Sequence, residues 1–176
     1  SAREMGLSVA LSGLGGDELF AGYESFQLLP RIIRAGKISG YFPGFMRKLA
    51  EETMKSLLPS SDLNTKARHL LKSKTSGAHP YFLFRALFCE DDVQLLFKDK
   101  SVFNKERQKE FERTQILIER LKPLGLTEQI SYLELTEYMA NMLLRDTDMM
   151  SMAHSLEIRV PLLDHLLVEL MFKIPG

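Results

Sequence analysis

Leu7 begins the segment LSVALSGLGGDELFAGY, which ends at Tyr23 and carries three successive patterns. Apolar residues alternate with smaller ones over residues 7–11, and this period of two predicts a β-strand. Glycines follow at positions 13, 15 and 16, and apolar residues at helical spacing come next. A strand that passes through a glycine-rich turn into a helix is typical of an α/β sheet at the edge where ligands bind.

The rest of the sequence predicts a mostly α-helical chain with at most one or two strands at the N-terminus. Apolar residues recur at helical spacing, and helices are predicted over residues 17–35 (bent or ended at Pro30), 45–58, 60–74, 81–88, 91–97, 104–121 and 131–143, with a last one from about 164. A lone strand has no partner for its main-chain hydrogen bonds. We therefore expect further strands upstream. The alternatives are pairing with a second copy of the chain, in a homodimer, or an irregular segment lying against the helices.

The composition excludes several partners. The 23 basic and 23 acidic side chains cancel, whereas a nucleic-acid binder concentrates basic residues, so no nucleic-acid partner is expected. No apolar run approaches the roughly 20 residues of a membrane span, and the first residues lack a signal-peptide pattern. We expect a cytoplasmic protein without a membrane partner. Cys89, the sole cysteine, fits a reducing compartment. Without a linker or repeat, residues 1–176 are expected to form one unit.

The glycine-rich turn, SGLGGDE over residues 12–18, has the chemistry of a phosphate site. Glycines allow positive φ and a close approach of the main chain to a ligand, and the N–H groups of the next helix are available to an anion. Asp17 and Glu18 would repel phosphate directly, but their oxygens can hold a Mg²⁺ ion that bridges to phosphate. The alternative is a tight turn in which Asp17 caps the helix and the helix dipole favours Glu18.

A second unusual segment, LLRDTDMMSMAHSLEIRVPLLD over residues 143–164, places charges among apolar residues. Charges in such surroundings are paired or functional. The structural alternative pairs Arg145 with Asp146 or Asp148, and Glu157 with Arg159. His154 is expected at a helix surface or in a hydrogen bond, and the methionines at 149, 150 and 152 are expected in the core.

Residues 10–23 (ALSGLGGDELFAGY) and 150–164 (MSMAHSLEIRVPLLD) together resemble the synthetase domain of the glutamine-hydrolysing asparagine synthase family. Domains of this ATP-pyrophosphatase type bind ATP at the strand ends of a parallel α/β sheet, beside a helical region. The resemblance implies that residues 1–176 are a C-terminal fragment of such a domain.

The resemblance also implies a reaction and a set of site residues. ATP adenylates the side-chain carboxylate of aspartate, pyrophosphate leaves, and ammonia from glutamine attacks the acyl adenylate. Ser12 and Gly13 would contact ATP, Gly15 and Gly16 would shape the turn, and Asp17 would bind Mg²⁺ and pyrophosphate. Glu157 and Arg159 would line the same cleft and orient its walls, and Asp148 would lie near the phosphates.

Three features depart from the family pattern. Leu14 stands where the family has a glutamate that acts as base or orienter for ammonia, and a leucine accepts no proton. Met149 replaces a basic residue, for which Arg145 is a candidate substitute. The Ser-Gly-Gly-x-Asp-Ser nucleotide loop and the glutaminase domain with its N-terminal cysteine are absent, so the fragment alone is expected to be inactive.

Alternative functions follow from these departures. A carboxylic acid other than aspartate is one substrate class, and a β-lactam-synthetase-like enzyme, in which an internal amine attacks the adenylate, is another. A non-enzymatic alternative is a degenerate member that serves as a helical interaction module.

Overall fold

The computed structural model describes residues 5–39, 79–88 and 90–174. In chain order its elements are β1 (Val9–Leu11), α1 (Gly16–Leu19), α2 (Ser25–Ser39), α3 (Pro80–Arg85), α4 (Glu90–Leu96), α5 (Lys100–Leu121), α6 (Leu126–Leu133), a π-helix (Glu134–Leu143), α7 (Leu144–Ala153), β2 (Glu157–Arg159), a 3₁₀-helix (Pro161–Leu163) and α8 (His165–Met171). The chain forms two compact units, one of Ser1–Phe26 with Leu124–Gly176 and the other of Gln27–Pro123. The predicted fold class, a mostly helical part of an α/β domain with at most two strands, is confirmed, although β2 lies near the C-terminus and not at the N-terminus as expected.

The two strands of the first unit pair in parallel. Val9 lies opposite Glu157, Ala10 opposite Ile158 and Leu11 opposite Arg159. The strand predicted at 7–11 is thus present as β1, and β2, which was not predicted, is its partner within the same chain. The signal was present, because Leu156, Ile158 and Val160 alternate with Glu157 and Arg159, but the charges of this segment were interpreted as ion-pair or site residues.

The core of the first unit lies beneath α1. Leu19, Ile130, Leu133 and Met139 are buried, and α1 packs against α6. The helix predicted over 131–143 begins earlier and extends further, because α6, the π-helix and α7 follow one another without a break from Leu126 to Ala153. This continuous helix starts after its N-cap, Gly125. An added Cβ at Gly125 would collide with the Glu128 carboxylate, which folds back over the glycine.

The single helix predicted over residues 17–35 is wrong in one respect. It is divided into α1 and α2 by a turn in which Ala21 has a φ of 59°. A left-handed residue ends a helix however well the flanking apolar pattern continues. Pro30 does not end α2, which runs through it to Ser39.

In the second unit, α5 begins before the predicted Asn104. Asp99 is its N-cap, and the Asp99 Oδ1 accepts a hydrogen bond of 2.8 Å from the Ser101 N–H. Phe111, expected on the buried stripe of this helix, is exposed, whereas Phe103 and Leu121 are buried. The helix predicted over 81–88 corresponds to α3, which His79 caps and which ends at Arg85.

Two predicted helices, over 45–58 and 60–74, and Cys89 lie outside the described residues. Within the described ranges, no helix has both the length and the apolar character needed to cross a bilayer.

Candidate functional site

The glycine-rich turn and the segment around Glu157 meet at one edge of the sheet. Because β1 and β2 are parallel, their carboxyl ends lie on the same side, where ligands of open α/β sheets bind. The Ser12 N–H donates a hydrogen bond of 2.9 Å to the Arg159 carbonyl just beyond the two strand ends. The fold therefore joins the two sequence blocks that are far apart in the chain.

Gly15 fixes the shape of the turn. Its φ is 96°, in the left-handed region that favours glycine. A Cβ at this position would lie 2.5 Å from Leu163 Cδ2 and 3.4 Å from the main-chain carbon of Leu162. At Gly16 a Cβ would lie 3.3 Å from Leu162 Cδ1. The 3₁₀-helix of the second block thus packs directly on the glycines of the first.

The main chain of the turn offers hydrogen-bond donors. The Leu14 N–H donates to Ser12 Oγ at 3.3 Å, and the Gly16 N–H donates to the Gly13 carbonyl at 3.2 Å. Within the described part of the chain, the N–H groups of Gly13, Gly15 and Asp17 donate to no other residue. These donors suit an anionic oxygen. The dipole of α1 adds little, because that helix has only four residues.

Asp17 does not cap α1. The N-cap is Gly15, which makes no side-chain hydrogen bond, so the interpretation of Asp17 as N-cap is wrong. The Asp17 side chain is exposed and lies over Gly22 instead, where an added Cβ would collide with Oδ1 and lie 2.9 Å from Cγ. The Gly22 N–H donates to the Asp17 carbonyl at 2.9 Å.

Glu18 points away from the turn into the helical core. Its side chain is 1% exposed, and Oε1 accepts a hydrogen bond of 2.8 Å from the Tyr23 hydroxyl. Burial, together with the adjacent Glu18 carboxylate, raises the pKa of Tyr23 above its ordinary value, so the phenol remains a proton donor. Glu18 therefore does not join Asp17 at an exposed ligand site.

No group of three acidic, histidine or cysteine side chains among the described residues forms a metal site. Mg²⁺ commonly binds one or two carboxylates and completes its shell with water and substrate phosphates. A single exposed carboxylate, Asp17, beside free main-chain donors fits that mode of binding and does not fit a metal cage made of protein ligands alone.

The residues of the second block are exposed and only partly paired. Arg159 Nε lies 2.7 Å from Glu157 Oε1, an ion pair that the sequence suggested, and this contact raises the pKa of Arg159. Both side chains are more than half exposed, so the pair contributes little to stability. Asp148 is exposed on α7, which packs beside β2, and in the described structure no ion pair joins Arg145 to Asp146 or Asp148.

The methionines of α7 are not core residues. Met149, Met150 and Met152 are 62%, 72% and 56% exposed, which contradicts the expectation from their apolar character. No residue of α7 is buried. His154 is also exposed, as expected for a surface histidine.

Behind the turn lies a set of buried polar contacts that the sequence did not predict. Ser131 Oγ donates to the Glu18 carbonyl at 2.7 Å, and Ser25 Oγ donates to Glu134 Oε1 at 2.7 Å. The Tyr23 ring meets the Tyr138 ring edge-on, with centroids 6.2 Å apart. The available signal was the capping-box form of Ser131–Glu134, which suggests a helix start but gives no partner.

The strand ends, the turn and its free N–H groups form an edge of the kind at which α/β proteins bind anionic ligands, beyond the carboxyl ends of parallel strands. The chain belongs to the asparagine synthase family, because the family model described as asparagine synthase matches residues 1–176. Membership of this family indicates an ATP-dependent amidation ligase. No curated protein and no solved structure matches the chain.

Proposed function

We propose that this chain is the C-terminal part of the synthetase domain of a glutamine-hydrolysing asparagine synthase, which adenylates a carboxylic acid and transfers ammonia to it. The observation that carries this proposal is the contact between the two blocks, in which Gly15 and Gly16 pack against the 3₁₀-helix at the shared carboxyl edge of β1 and β2. That edge holds the free N–H groups that a triphosphate requires.

In this proposal the turn binds the phosphates of ATP. Ser12 and Gly13 contact phosphate oxygens, Gly15 and Gly16 keep the main chain close to them, and Asp17 holds Mg²⁺. The metal ion would neutralise charge on the phosphate oxygens. The exposed position of Gly13, where a Cβ would meet no atom within 4 Å, supports an open face toward the ligand.

The proposed reaction has two steps. A substrate carboxylate oxygen attacks the α-phosphorus of ATP and pyrophosphate leaves with Mg²⁺. Ammonia then attacks the acyl carbon, loses a proton, and AMP leaves. Asp148, Glu157 and Arg159 line the cleft on the side of β2. The Glu157–Arg159 contact of 2.7 Å orients the two side chains relative to each other.

The acyl substrate is aspartate or another carboxylic acid. Leu14, half-buried in the turn, has no group that can accept a proton from ammonia. In the asparagine-forming version of the proposal, the proton goes to water or to a group outside the described residues.

The remaining parts of the enzyme are proposed to be an upstream α/β portion with the nucleotide loop and a glutaminase domain. Two exposed apolar residues of β1 support further elements that cover the sheet: Leu11 is 73% exposed and Val9 is also exposed. Parallel sheets are normally covered on both faces. We therefore expect the 176-residue chain alone to form no acyl adenylate.

The test is pyrophosphate release from ATP by the full-length protein with a panel of carboxylic acids. We expect release that depends on one acid and on Mg²⁺, and a loss of about tenfold or more when Asp17→Asn removes the metal-binding charge. A matched control is Asp99→Asn, which changes the cap of α5 in the other unit. Release that no acid stimulates, or that Asp17→Asn leaves unchanged, contradicts the proposal.

Leu14 also favours a second candidate, the β-lactam-synthetase-like reaction in which an amine of the same substrate attacks the adenylate. Labelled ammonia separates the two candidates in the full-length protein. Incorporation into the acid supports ammonia transfer, whereas a cyclic amide without label supports internal attack. A degenerate interaction module, the non-enzymatic alternative, predicts no heat of MgATP binding in calorimetry.

A further inference from the structure

Two hydrogen bonds close the loop from Asp17 to Tyr23. They join its first two residues to its last two. The Asp17 carbonyl accepts from the Gly22 N–H at 2.9 Å, and the Glu18 carboxylate accepts from the Tyr23 hydroxyl at 2.8 Å. Ala21, with a φ of 59°, makes the reversal between them. The position of Asp17 is therefore determined by residues up to six places further along the chain.

Gly22 has a direct steric relation to the Asp17 carboxylate. The side chain of Asp17 occupies the space that a side chain at residue 22 would need, since an added Cβ would collide with Oδ1. Gly22 does not have a positive φ, so backbone strain does not require glycine here. The close approach of the Asp17 carboxylate does. Any larger residue has to push the carboxylate elsewhere.

The loop is also attached at both ends to one helix. Ser131 on α6 donates to the Glu18 carbonyl, and Ser25 at the start of α2 donates to Glu134, the first residue of the π-helix. Tyr138, on the next turn, contacts the Tyr23 ring edge-on. Positions 131, 134 and 138 share one helix face, so a rigid element supports the loop.

We propose that Gly22, Tyr23 and Glu18 are positioning residues, an inference that rests on the proposed function. The space beside Gly22 and the hydrogen bond from Tyr23 to Glu18 hold the Asp17 carboxylate where it binds the metal–phosphate ligand. Glu18 and Tyr23 do not touch the ligand. They fix the loop, Gly22 leaves room for the carboxylate, and Asp17 alone meets the metal ion. Of the two adjacent acids, Asp17 is thus the exposed ligand and Glu18 is the buried support of the loop.

The experiment measures acid-dependent pyrophosphate release by the full-length protein as a function of Mg²⁺ concentration, at saturating ATP and acid. Tyr23→Phe removes one hydroxyl and Gly22→Ala fills the space beside Asp17. We expect Tyr23→Phe to raise the Mg²⁺ concentration for half-maximal rate by roughly fivefold, the equivalent of one lost hydrogen bond. Gly22→Ala should raise it by a similar factor, because the added Cβ displaces the Asp17 carboxylate. In both variants, the factor by which the rate at saturating Mg²⁺ falls should be smaller than the factor by which the half-maximal Mg²⁺ concentration rises.

Tyr132→Phe is the matched control, because it removes a phenol hydroxyl from α6, and no described hydrogen bond of that hydroxyl reaches the loop. Glu18→Gln keeps an acceptor oxygen for Tyr23 and should shift the Mg²⁺ dependence less than Glu18→Ala. If Gly22→Ala does not fold, Tyr23→Phe and the two Glu18 variants decide the question.

Two failures are distinguishable. If Asp17→Asn leaves the Mg²⁺ dependence unchanged, the proposed metal role of Asp17 is wrong. If Asp17→Asn raises the Mg²⁺ requirement while Tyr23→Phe matches Tyr132→Phe and Glu18→Gln matches Glu18→Ala, only the positioning role is overturned.

Discussion

At the scale of single residues, neighbours in the glycine-rich turn have opposite environments. Asp17 is exposed over Gly22, whereas Glu18, the next residue, is almost fully buried against Tyr23. Two adjacent acids in a sequence look equivalent, and only the direction of each Cα–Cβ bond on α1 separates them. One carboxylate is available to a ligand and the other stabilises the loop.

The first prediction concerns Gly15. Gly15→Ala should lower the free energy of unfolding by about 2 kcal/mol or more, because alanine is strained at positive φ and its Cβ would meet Leu163. Chemical denaturation monitored by circular dichroism measures the change.

Gly13→Ala is the control for this prediction. Gly13 has no atom within 4 Å of the added Cβ and no positive φ, so its replacement should change stability by less than about 0.5 kcal/mol. Equal stability losses in the two variants would show that the turn has a different conformation.

At the scale of elements, the helix from Leu126 to Ala153 organises the site. Its π segment, Glu134–Leu143, brings Glu134 to Ser25 and Tyr138 to Tyr23. π segments are rare and are frequently found at functional sites. In a regular α-helix, the residues beyond 134 would be rotated about the helix axis to other positions. The π segment therefore contributes to the contacts that hold the loop.

The second prediction concerns pH. The pKa of Tyr23 is raised above its ordinary value of 10.0, first by burial and then by the hydrogen bond to Glu18. The folded protein holds this proton more tightly than the unfolded chain does. The stabilisation is therefore fully present below about pH 10 and is lost as the pH rises above it.

The free energy of unfolding should accordingly decline above pH 10, and Tyr23→Phe should reduce the steepness of that decline. Denaturation at a series of pH values between 8 and 11 tests this. Tyr132→Phe is the control, because it leaves Tyr23 in place and should keep the wild-type decline. An unchanged slope in Tyr23→Phe would mean that the phenol is not held by Glu18.

At the scale of the whole molecule, the outer edge of β1 pairs with no other strand among the described residues. The bonds from Glu157 N–H to the Ser8 carbonyl and from Ser12 N–H to the Arg159 carbonyl turn residues 8, 10 and 12 toward β2. By strand alternation the main-chain groups of Val9 and Leu11 face the other way. An edge of this kind pairs readily with another strand.

The third prediction follows from this edge. In the full-length protein, the amide hydrogens of Val9 and Leu11 should exchange with solvent as slowly as that of Ala10, because a strand of the proposed upstream portion pairs with them. Hydrogen exchange read by NMR measures each amide. Fast exchange at Val9 and Leu11 beside slow exchange at Ala10 would contradict the proposed continuation of the sheet.

The sequence by itself determined the local features of this protein. Alternation over residues 7–11 identified β1, glycine content identified the turn, and the two blocks identified the family, which the match over residues 1–176 shows. Each of these properties depends on neighbours in the chain or on motif identity. The division of the predicted helix at Ala21 was not visible, since the apolar spacing continues across it.

Tertiary structure decided everything that depends on residues distant in the chain. Only the fold showed that β2 pairs with β1, that Leu163 requires glycine at position 15, that Ser25 and Ser131 anchor the loop, and that the methionines of α7 are exposed. Burial and hydrogen-bond partners are properties of the surroundings of a side chain, and residue type gives only a preference for them. For the same reason, only the three-dimensional structure could show that one of the two adjacent acids, Asp17, is exposed and the other, Glu18, is buried.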